Sequence, residues 1–244
     1  HKEYRRQRQM CIRDSDYYAK YGAILQPKEM LAAIDTTYSH IKVVNQIIEK
    51  YTNKEKGFLP IALTEFNTRS NASISKNDGA TNVSHCSGIF FAHAIGEIIR
   101  QGIGMSMVWD IENGYKDGHD HGMFASSKEN GVEWLSPHPS YFHFYYYNKI
   151  FGDSYYESLT TNSNIRIHSS TFSTGEAGLV VVNISDKEEI VEIELKNIGA
   201  KESAGVFEIY NKNPSSRKTG INNFFTNNDA GGPENFKKIK ANQL

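Results

Sequence analysis

The spacing of hydrophobic positions predicts three helices in the first part of the chain. Apolar residues recur on one helical face from Asp35 onward, and further helices are predicted over residues 88–100 and 139–151. Pro139 suits the first turn of the last helix, and a glycine follows its end. The predicted buried face of the first helix consists of Ile41, Val44, Ile47, Ile48 and Tyr51.

Two short apolar runs between these helices predict strands. The runs cover residues 58–63 and 105–109. A short run that is apolar on both faces is typical of a buried strand in a parallel sheet. The order helix, strand, helix, strand, helix therefore predicts a parallel α/β fold.

The pattern changes to short alternating runs after residue 156. Several such strands at regular intervals are typical of an antiparallel β-sandwich. We therefore predict an α/β domain over residues 16–158 and a β-sandwich domain over residues 159–244, whose completeness the pattern leaves open. The alternating or β-rich runs are residues 165–168, 178–184, 190–195 and 206–210.

The first fifteen residues show no helical or strand periodicity. Residues 8–15 resemble a translated sequencing-adapter fragment, so residues 1–15 are expected to be a non-native segment. The alternative is a natural basic arm at the N-terminus.

Composition excludes several classes of function. The formal net charge of −1 argues against a nucleic-acid or anionic-lipid partner. No apolar run reaches the roughly 20 residues that span a bilayer. The cysteines, Cys11 and Cys86, form neither a disulfide framework nor a zinc-like spacing, and no cofactor is predicted.

Candidate chemistry lies where the two apolar runs end. Glu65 and Asn67 follow the first run, and Trp109, Asp110 and Glu112 close the second. Functional groups of parallel α/β barrels lie at the C-terminal ends of strands. A carboxylate directly after apolar residues is costly unless it faces a polar cleft, although a salt-bridged structural role for Glu65 fits the pattern equally well.

The strand-end motifs resemble those of a known group of enzymes. Thr64-Glu65-Phe66-Asn67 resembles the strand-seven nucleophile motif of clan A glycoside hydrolases, which are retaining (β/α)8 enzymes. Met107-Val108-Trp109 resembles their eighth strand, where an aromatic residue floors the sugar subsite. Together with the strand end at residues 109–114 and the helix at residues 139–146, these motifs look most like glycoside hydrolase family 86. That family contains β-agarases and β-porphyranases, which cut red-algal galactans and carry β-sandwich domains after the barrel.

The resemblance implies that residues 16–158 are the C-terminal part of a TIM barrel, with Glu65 as the catalytic nucleophile. It also implies a polysaccharide or oligosaccharide substrate and a secreted, cell-surface or periplasmic location. In clan A enzymes the acid/base follows an Asn at the end of strand four, and no Asn-Glu pair precedes Glu65. The acid/base is therefore expected to lie upstream of this sequence, and the 244 residues alone are expected to be inactive.

Several residues are predicted to contact the sugar. Trp109 can stack on the apolar face of a sugar ring, although a barrel-core role is the alternative. The predicted hydrogen-bonding residues are Asn67, Asp110, Glu112, His119 and His121. A metal site in the Asp117–His121 loop is less favoured, because the loop is flanked by glycine and no third distant ligand is evident.

Other functions remain open at this point. A clan A xylosidase, arabinofuranosidase or glucanase would keep the chemistry and change the substrate. A non-catalytic carbohydrate-binding protein on a degenerate barrel would have no acid/base at all. The β domain is expected to support the barrel, with polysaccharide binding as the alternative.

Overall fold

The computed structural model describes residues 27–68, 81–113, 120, 122–126, 132–196 and 204–244. All three predicted helices are confirmed. They are α1 (Pro27–Thr52), α2 (His85–Arg100) and α3 (Pro139–Ile150).

Helix α1 begins at Pro27, so the predicted start at Asp35 is wrong. Proline is well suited to a first turn, and the Lys, Glu, Met, Leu and Ala residues that follow favour helix. Ile41 is buried as predicted, whereas Ile47 and Tyr51 are 47% and 77% exposed. The buried face passes instead through Asn45, one helical turn after Ile41.

The two predicted strands form a parallel pair, which confirms the expected arrangement of these elements. Strand β1 (Ala62–Phe66) pairs with β2 (Met105–Val108), and the register shifts between Leu63 and Phe66. Strand β1 begins later than predicted, so Glu65 lies inside it rather than after it.

The prediction that both strands are buried is wrong for the described part of the chain. Leu63 and Phe66 pack against the helices, but Met105 and Met107 are 48% and 45% exposed. Among the described residues each strand has only the other as a neighbour. Helices cover one face of this pair, and the apolar run alone could not reveal that the second face is open.

The second part of the chain forms small antiparallel sheets, as the alternating runs predicted. One sheet has the order β3-β4-β5, and two others pair β6 with β9 and β7 with β8. The strands are β3 (Ser154–Tyr156), β4 (Ile165–Thr171), β5 (Ala177–Asn183), β6 (Gly205–Val206), β7 (Ile209–Tyr210), β8 (Gly220–Ile221) and β9 (Asn242–Gln243), with a 3-10 helix at Phe236–Lys238.

Two details of that prediction are wrong. Residues 190–195 form no strand, and Ile190 is fully exposed, because alternation alone supplies no partner strand. Residues 206–210 are divided between two sheets, since Phe207 turns toward the core next to α3. The described residues contain no closed barrel, and the barrel-plus-sandwich architecture stays a prediction.

Helices α2 and α3 connect the two regions. One core lies between α1, α2 and β1, with Cys86 and Ile98 among its buried residues. A second core joins α3 to residues 207–239, where the Tyr146 hydroxyl donates a hydrogen bond to the Phe236 carbonyl at 2.9 Å. Aromatic residues of α3 therefore contact the β region. Strand β3 pairs with β4 across the predicted domain boundary at residue 158.

Within the described residues, no helix combines the length and the apolar character needed to cross a membrane. This agrees with the expectation of no membrane span.

Candidate functional site

The candidate site is the edge at which β1 and β2 both end. The strands are parallel, so their C-terminal ends meet at the same side of the sheet. The backbone N–H of Trp109 donates a hydrogen bond to the Phe66 carbonyl at 2.9 Å, which holds the two ends together. The sequence-predicted residues Glu65, Asn67 and Asp110 lie at this edge.

Glu65 is exposed and makes no hydrogen bond or ion pair with another described residue. Phe66 packs against Phe91 of α2, and Phe66 is opposite Val108 in the parallel register. Glu65 and Trp109 are both exposed at this edge, whereas their neighbours Phe66 and Val108 are partly buried. The structural alternative for Glu65 needs an ion-pair partner, and the described residues supply none.

Trp109 provides an exposed apolar surface at the same edge. Its side chain is 46% exposed, and Met105 and Met107 precede it along the strand with similar exposure. The peptide bond between Trp109 and Asp110 is cis. A half-exposed indole is available for stacking on a ligand. A barrel-core residue, which is the alternative, would not need an exposed ring.

Asn67 joins the two strand ends. Its side-chain amide group donates to the Trp109 carbonyl, and its Oδ1 accepts a hydrogen bond from the Thr68 backbone N–H at 2.7 Å. The Thr68 hydroxyl lies 2.9 Å from the Ser87 hydroxyl of α2. These contacts give Asn67 a positioning role, and its predicted bond to a sugar hydroxyl stays a prediction.

Asp110 and Glu112 follow β2 in a segment that a second loop supports. Asp110 is partly buried, and its Oδ1 has no hydrogen-bond partner among the described residues. Its backbone carbonyl accepts a hydrogen bond from Met123 at 2.9 Å, whereas the Glu112 side chain is exposed. Asp110 therefore offers a buried acceptor atom at the edge, and Glu112 offers a carboxylate to solvent.

The predicted hydroxyl-binding residues His119 and His121 lie outside the described residues. Asp120 between them is 5% exposed, and its carboxylate accepts bonds from the backbone N–H groups of Gly122 at 3.0 Å and Ser126 at 3.1 Å. A third bond comes from Nε2 of His138 at 3.0 Å. The carboxylate of Asp120 therefore holds the loop in shape and is not directed at a ligand.

This loop is packed closely against the segment that carries Glu112. A Cβ added at Gly122 would lie 2.8 Å from the Cα of Glu112 and 2.8 Å from the Ile111 carbonyl oxygen. The Phe124 backbone N–H also donates to the Ile111 carbonyl at 2.9 Å. The Asp120 hydrogen bonds thus help to position the edge residues indirectly.

Burial lowers the pKa of several histidines in the described part of the chain. Burial lowers the pKa of His143 to about 4, although its bond to the Pro139 carbonyl opposes this shift. Burial and the neighbouring His143 hold the pKa of His85 well below its usual value, and the two rings lie 5.2 Å apart. Burial, with a contribution from His93, lowers the pKa of His168 to about 3. At neutral pH these side chains are therefore uncharged.

Sequence reasoning missed the groups that meet through long-range folding. Asn82 donates a hydrogen bond to the backbone carbonyl of Asp120, and His138 binds the carboxylate of the same residue. No local spacing relates these positions, so no motif could have revealed them.

Comparison of the chain with models of known protein families gave no match, and a search of curated proteins found no similar protein. The resemblance to clan A glycoside hydrolases therefore rests on the strand-end motifs.

Proposed function

We propose that this chain belongs to a retaining glycoside hydrolase that cuts a polysaccharide, with an agarose- or porphyran-type galactan as substrate. The supporting observation is that Glu65 and Trp109 are both exposed at one parallel strand edge, and that Glu65 has no described partner. A carboxylate beside an exposed indole offers both a nucleophile and a stacking surface for a sugar ring.

In the proposed mechanism, Glu65 attacks the anomeric carbon and forms a covalent glycosyl-enzyme. A second carboxylic acid, about 5–5.5 Å from Glu65, protonates the leaving oxygen and then takes a proton from the attacking water. No Asn-Glu pair precedes Glu65, so no residue of this chain is assigned as the acid/base.

The other edge residues bind and orient the substrate in this proposal. Trp109 stacks on the sugar ring, and Asp110 and Glu112 accept hydrogen bonds from hydroxyls. His119 and His121 contribute further hydroxyl contacts. A polymeric substrate implies a secreted, cell-surface or periplasmic enzyme.

A trapping experiment tests the nucleophile on the chain as it stands. A 2-fluoro galactoside with a dinitrophenolate leaving group needs no acid for the first step, so a nucleophile alone can form the covalent adduct. We expect mass spectrometry of the digested protein to find the sugar on Glu65. Glu65→Gln should abolish labelling, and the matched control Glu55→Gln, at an exposed glutamate before β1, should preserve it. A label on another carboxylate would contradict the assignment.

Hydrolysis of a polysaccharide panel tests the substrate. The complete product of the gene is incubated with agarose, porphyran, xylan and arabinan, together with its Glu65→Gln variant. We expect cleavage of agarose or porphyran and a loss of about 10³-fold or more in the variant. Cleavage of xylan or arabinan with the same loss would retain Glu65 and replace the substrate. An unaffected variant would overturn the proposal.

A non-catalytic carbohydrate-binding protein is the second candidate. The open apolar face at Met105, Met107 and Trp109 favours it, because stacking alone is enough for binding. In that case the complete gene product would bind the galactan without cutting it, and Trp109→Ala would weaken binding while Glu65→Gln would not.

A further inference from the structure

The packing of α2 against β4 brings three possible metal ligands together, far from the candidate edge in sequence. His93 and Glu97 are four residues apart on α2 and therefore share one helical face. His168 reaches them from β4, because a Cβ at Gly96 would lie only 2.1 Å from its ring. The missing side chain at Gly96 thus admits the imidazole to this face of the helix.

The spacing of the ligand atoms suits a single ion. One nitrogen of each histidine and one oxygen of Glu97 all lie within 4.8 Å of one another. Nδ1 of His93 is 3.1 Å from Nε2 of His168. Two nitrogens bound to one zinc ion with tetrahedral geometry lie about 3.3 Å apart, so little movement is needed for both to coordinate it.

Burial holds these ligands in place. The side chains of His93 and His168 are 1% and 2% exposed, and their rings stack with centroids 5.3 Å apart. Nδ1 of His168 is buried and has no hydrogen-bond partner among the described residues. Unpaired buried polar atoms are uncommon in native proteins, so the protein groups that surround His168 do not fully satisfy it.

An ion can reach this cluster from solvent. His93 and Glu97 line an open cleft of about 230 Å³, and the cleft leaves room for water as a further ligand. The other lining residues are Ser39, Lys42, Arg100, Gln101 and Arg166.

We propose that His93, Glu97 and His168 bind a divalent transition-metal ion of the zinc type, which joins α2 to the β3–β5 sheet. Two imidazoles and one carboxylate, completed by water, form a ligand set that zinc accepts. This proposal is independent of the glycoside hydrolase function and of the residues at the strand edge.

Arg100 competes with the ion for the Glu97 carboxylate. Its removal should therefore change the metal affinity in a direction that can be predicted. Its guanidinium donates hydrogen bonds to both carboxylate oxygens of Glu97, the shortest at 2.6 Å. The metal must take one of these oxygens, and the positive charge of Arg100 repels it. Removal of Arg100 is therefore expected to tighten metal binding, whereas it would weaken the binding of an anion in the same cleft.

The direct test is titration of the chelator-treated chain with Zn²⁺ by calorimetry, supported by the visible absorption of Co²⁺. We expect saturable binding at one site, which His168→Gln weakens by about a hundredfold or more. Glu97→Gln, which changes a partly exposed side chain, should also weaken binding and guards against a folding defect in the first variant. Arg100→Gln should tighten binding several-fold.

Two histidine variants serve as controls. His143→Gln removes a buried histidine outside the cluster, and His121→Gln removes one from the loop where sequence reasoning weighed a metal; both should leave Zn²⁺ affinity unchanged. Absence of saturable Zn²⁺ or Co²⁺ binding up to millimolar concentration would overturn the proposal. Loss of binding in His121→Gln but not in His168→Gln would overturn it as well. The same holds if Arg100→Gln weakens binding, or if sulfate rather than Zn²⁺ raises the melting temperature of the chain.

Discussion

Polar side chains are exposed at the strand edge, where β1 and β2 end, but buried at the helix–sheet interface, where α2 packs on the β3–β5 sheet. At the edge, Glu65 and Glu112 are exposed, and Glu65 has no described partner. At the interface, His93 and His168 are almost completely buried and contact each other at 3.1 Å. The exposed carboxylates contribute little to folding, so they are free to act on a ligand, whereas the interface residues determine whether the sheet and helices stay together.

Asp120 shows that the environment, and not the residue type, makes this difference. It lies ten positions after Asp110, yet its carboxylate is buried and accepts three hydrogen bonds. A buried carboxylate that accepts three hydrogen bonds has a structural role. An exposed carboxylate without such donors is available to contact a ligand.

Gly178→Ala is expected to have the largest effect, because the interface has no room for a side chain there. A Cβ at Gly178 would lie 1.9 Å from the Ile150 carbonyl oxygen at the end of α3. A clash with backbone forces the sheet and the helix apart, and we expect a loss of about 3 kcal/mol in the free energy of unfolding. Urea unfolding measures this loss.

Gly104→Ala is the matched control, at the residue that directly precedes β2. There the nearest atom to an added Cβ is the Ile61 carbonyl oxygen at 3.7 Å, which is an ordinary contact. The variant should change the free energy of unfolding by less than about 1 kcal/mol in either direction. Equal losses of unfolding free energy in Gly178→Ala and Gly104→Ala would show that the close contact at Gly178 does not cause the destabilisation.

Asp120→Ala is expected to have the next largest effect. The substitution leaves His138 and two backbone N–H groups without their acceptor, which should cost about 2–3 kcal/mol. Because the same loop packs on the segment that carries Glu112, any sugar binding at the edge should weaken too. Urea unfolding and galactan affinity, measured on the same variant, would show whether the edge depends on this buried carboxylate.

The same contrast explains which features could be predicted from sequence. Helices α2 and α3 were predicted well because a repeat of three to four residues reports one buried face directly. The burial of β1 was predicted wrongly because an apolar run does not report how many strands lie beside it. The alternation at residues 190–195 failed for the same reason.

The candidate site divides in the same way. Glu65 and Trp109 were each predicted at a strand end, and the parallel pairing of β1 with β2 brings these ends to one edge. The contact between His93 and His168 joins residues 75 positions apart, and only the packing of α2 on β4 creates it. Local pattern thus predicts which residues leave a strand end, but not which side chains meet across an interface.

Acidification should destabilise the folded chain through His143. Its pKa is lowered to about 4 in the folded chain and returns to its ordinary value of 6.5 on unfolding, so the unfolded state binds more protons between these values. Stability is therefore expected to fall as pH decreases below 6.5, by roughly 2 kcal/mol from this group between pH 7 and pH 5. Below pH 4 this contribution falls no further.

His143→Gln isolates that contribution. Glutamine cannot titrate in this range, so the difference in unfolding free energy between pH 7 and pH 5 should shrink relative to the parent chain. Urea unfolding at both pH values supplies the four measurements needed. An unchanged difference would show that His85 or other groups, rather than His143, are responsible for the acid sensitivity.

Glu65→Gln should have the smallest effect on stability and the largest effect on chemistry. The side chain is exposed and has no described hydrogen-bond or ion-pair partner, so the substitution should change the free energy of unfolding by less than about 0.5 kcal/mol. If Glu65 were instead the structural carboxylate that its strand-end position also allows, an ion pair would be lost and the chain would be destabilised. Urea unfolding of the variant, compared with its capacity for covalent labelling by the fluorinated galactoside, separates the two roles. Unchanged stability with lost labelling would assign Glu65 to catalysis, whereas lost stability with retained labelling would move it to the same structural category as Asp120.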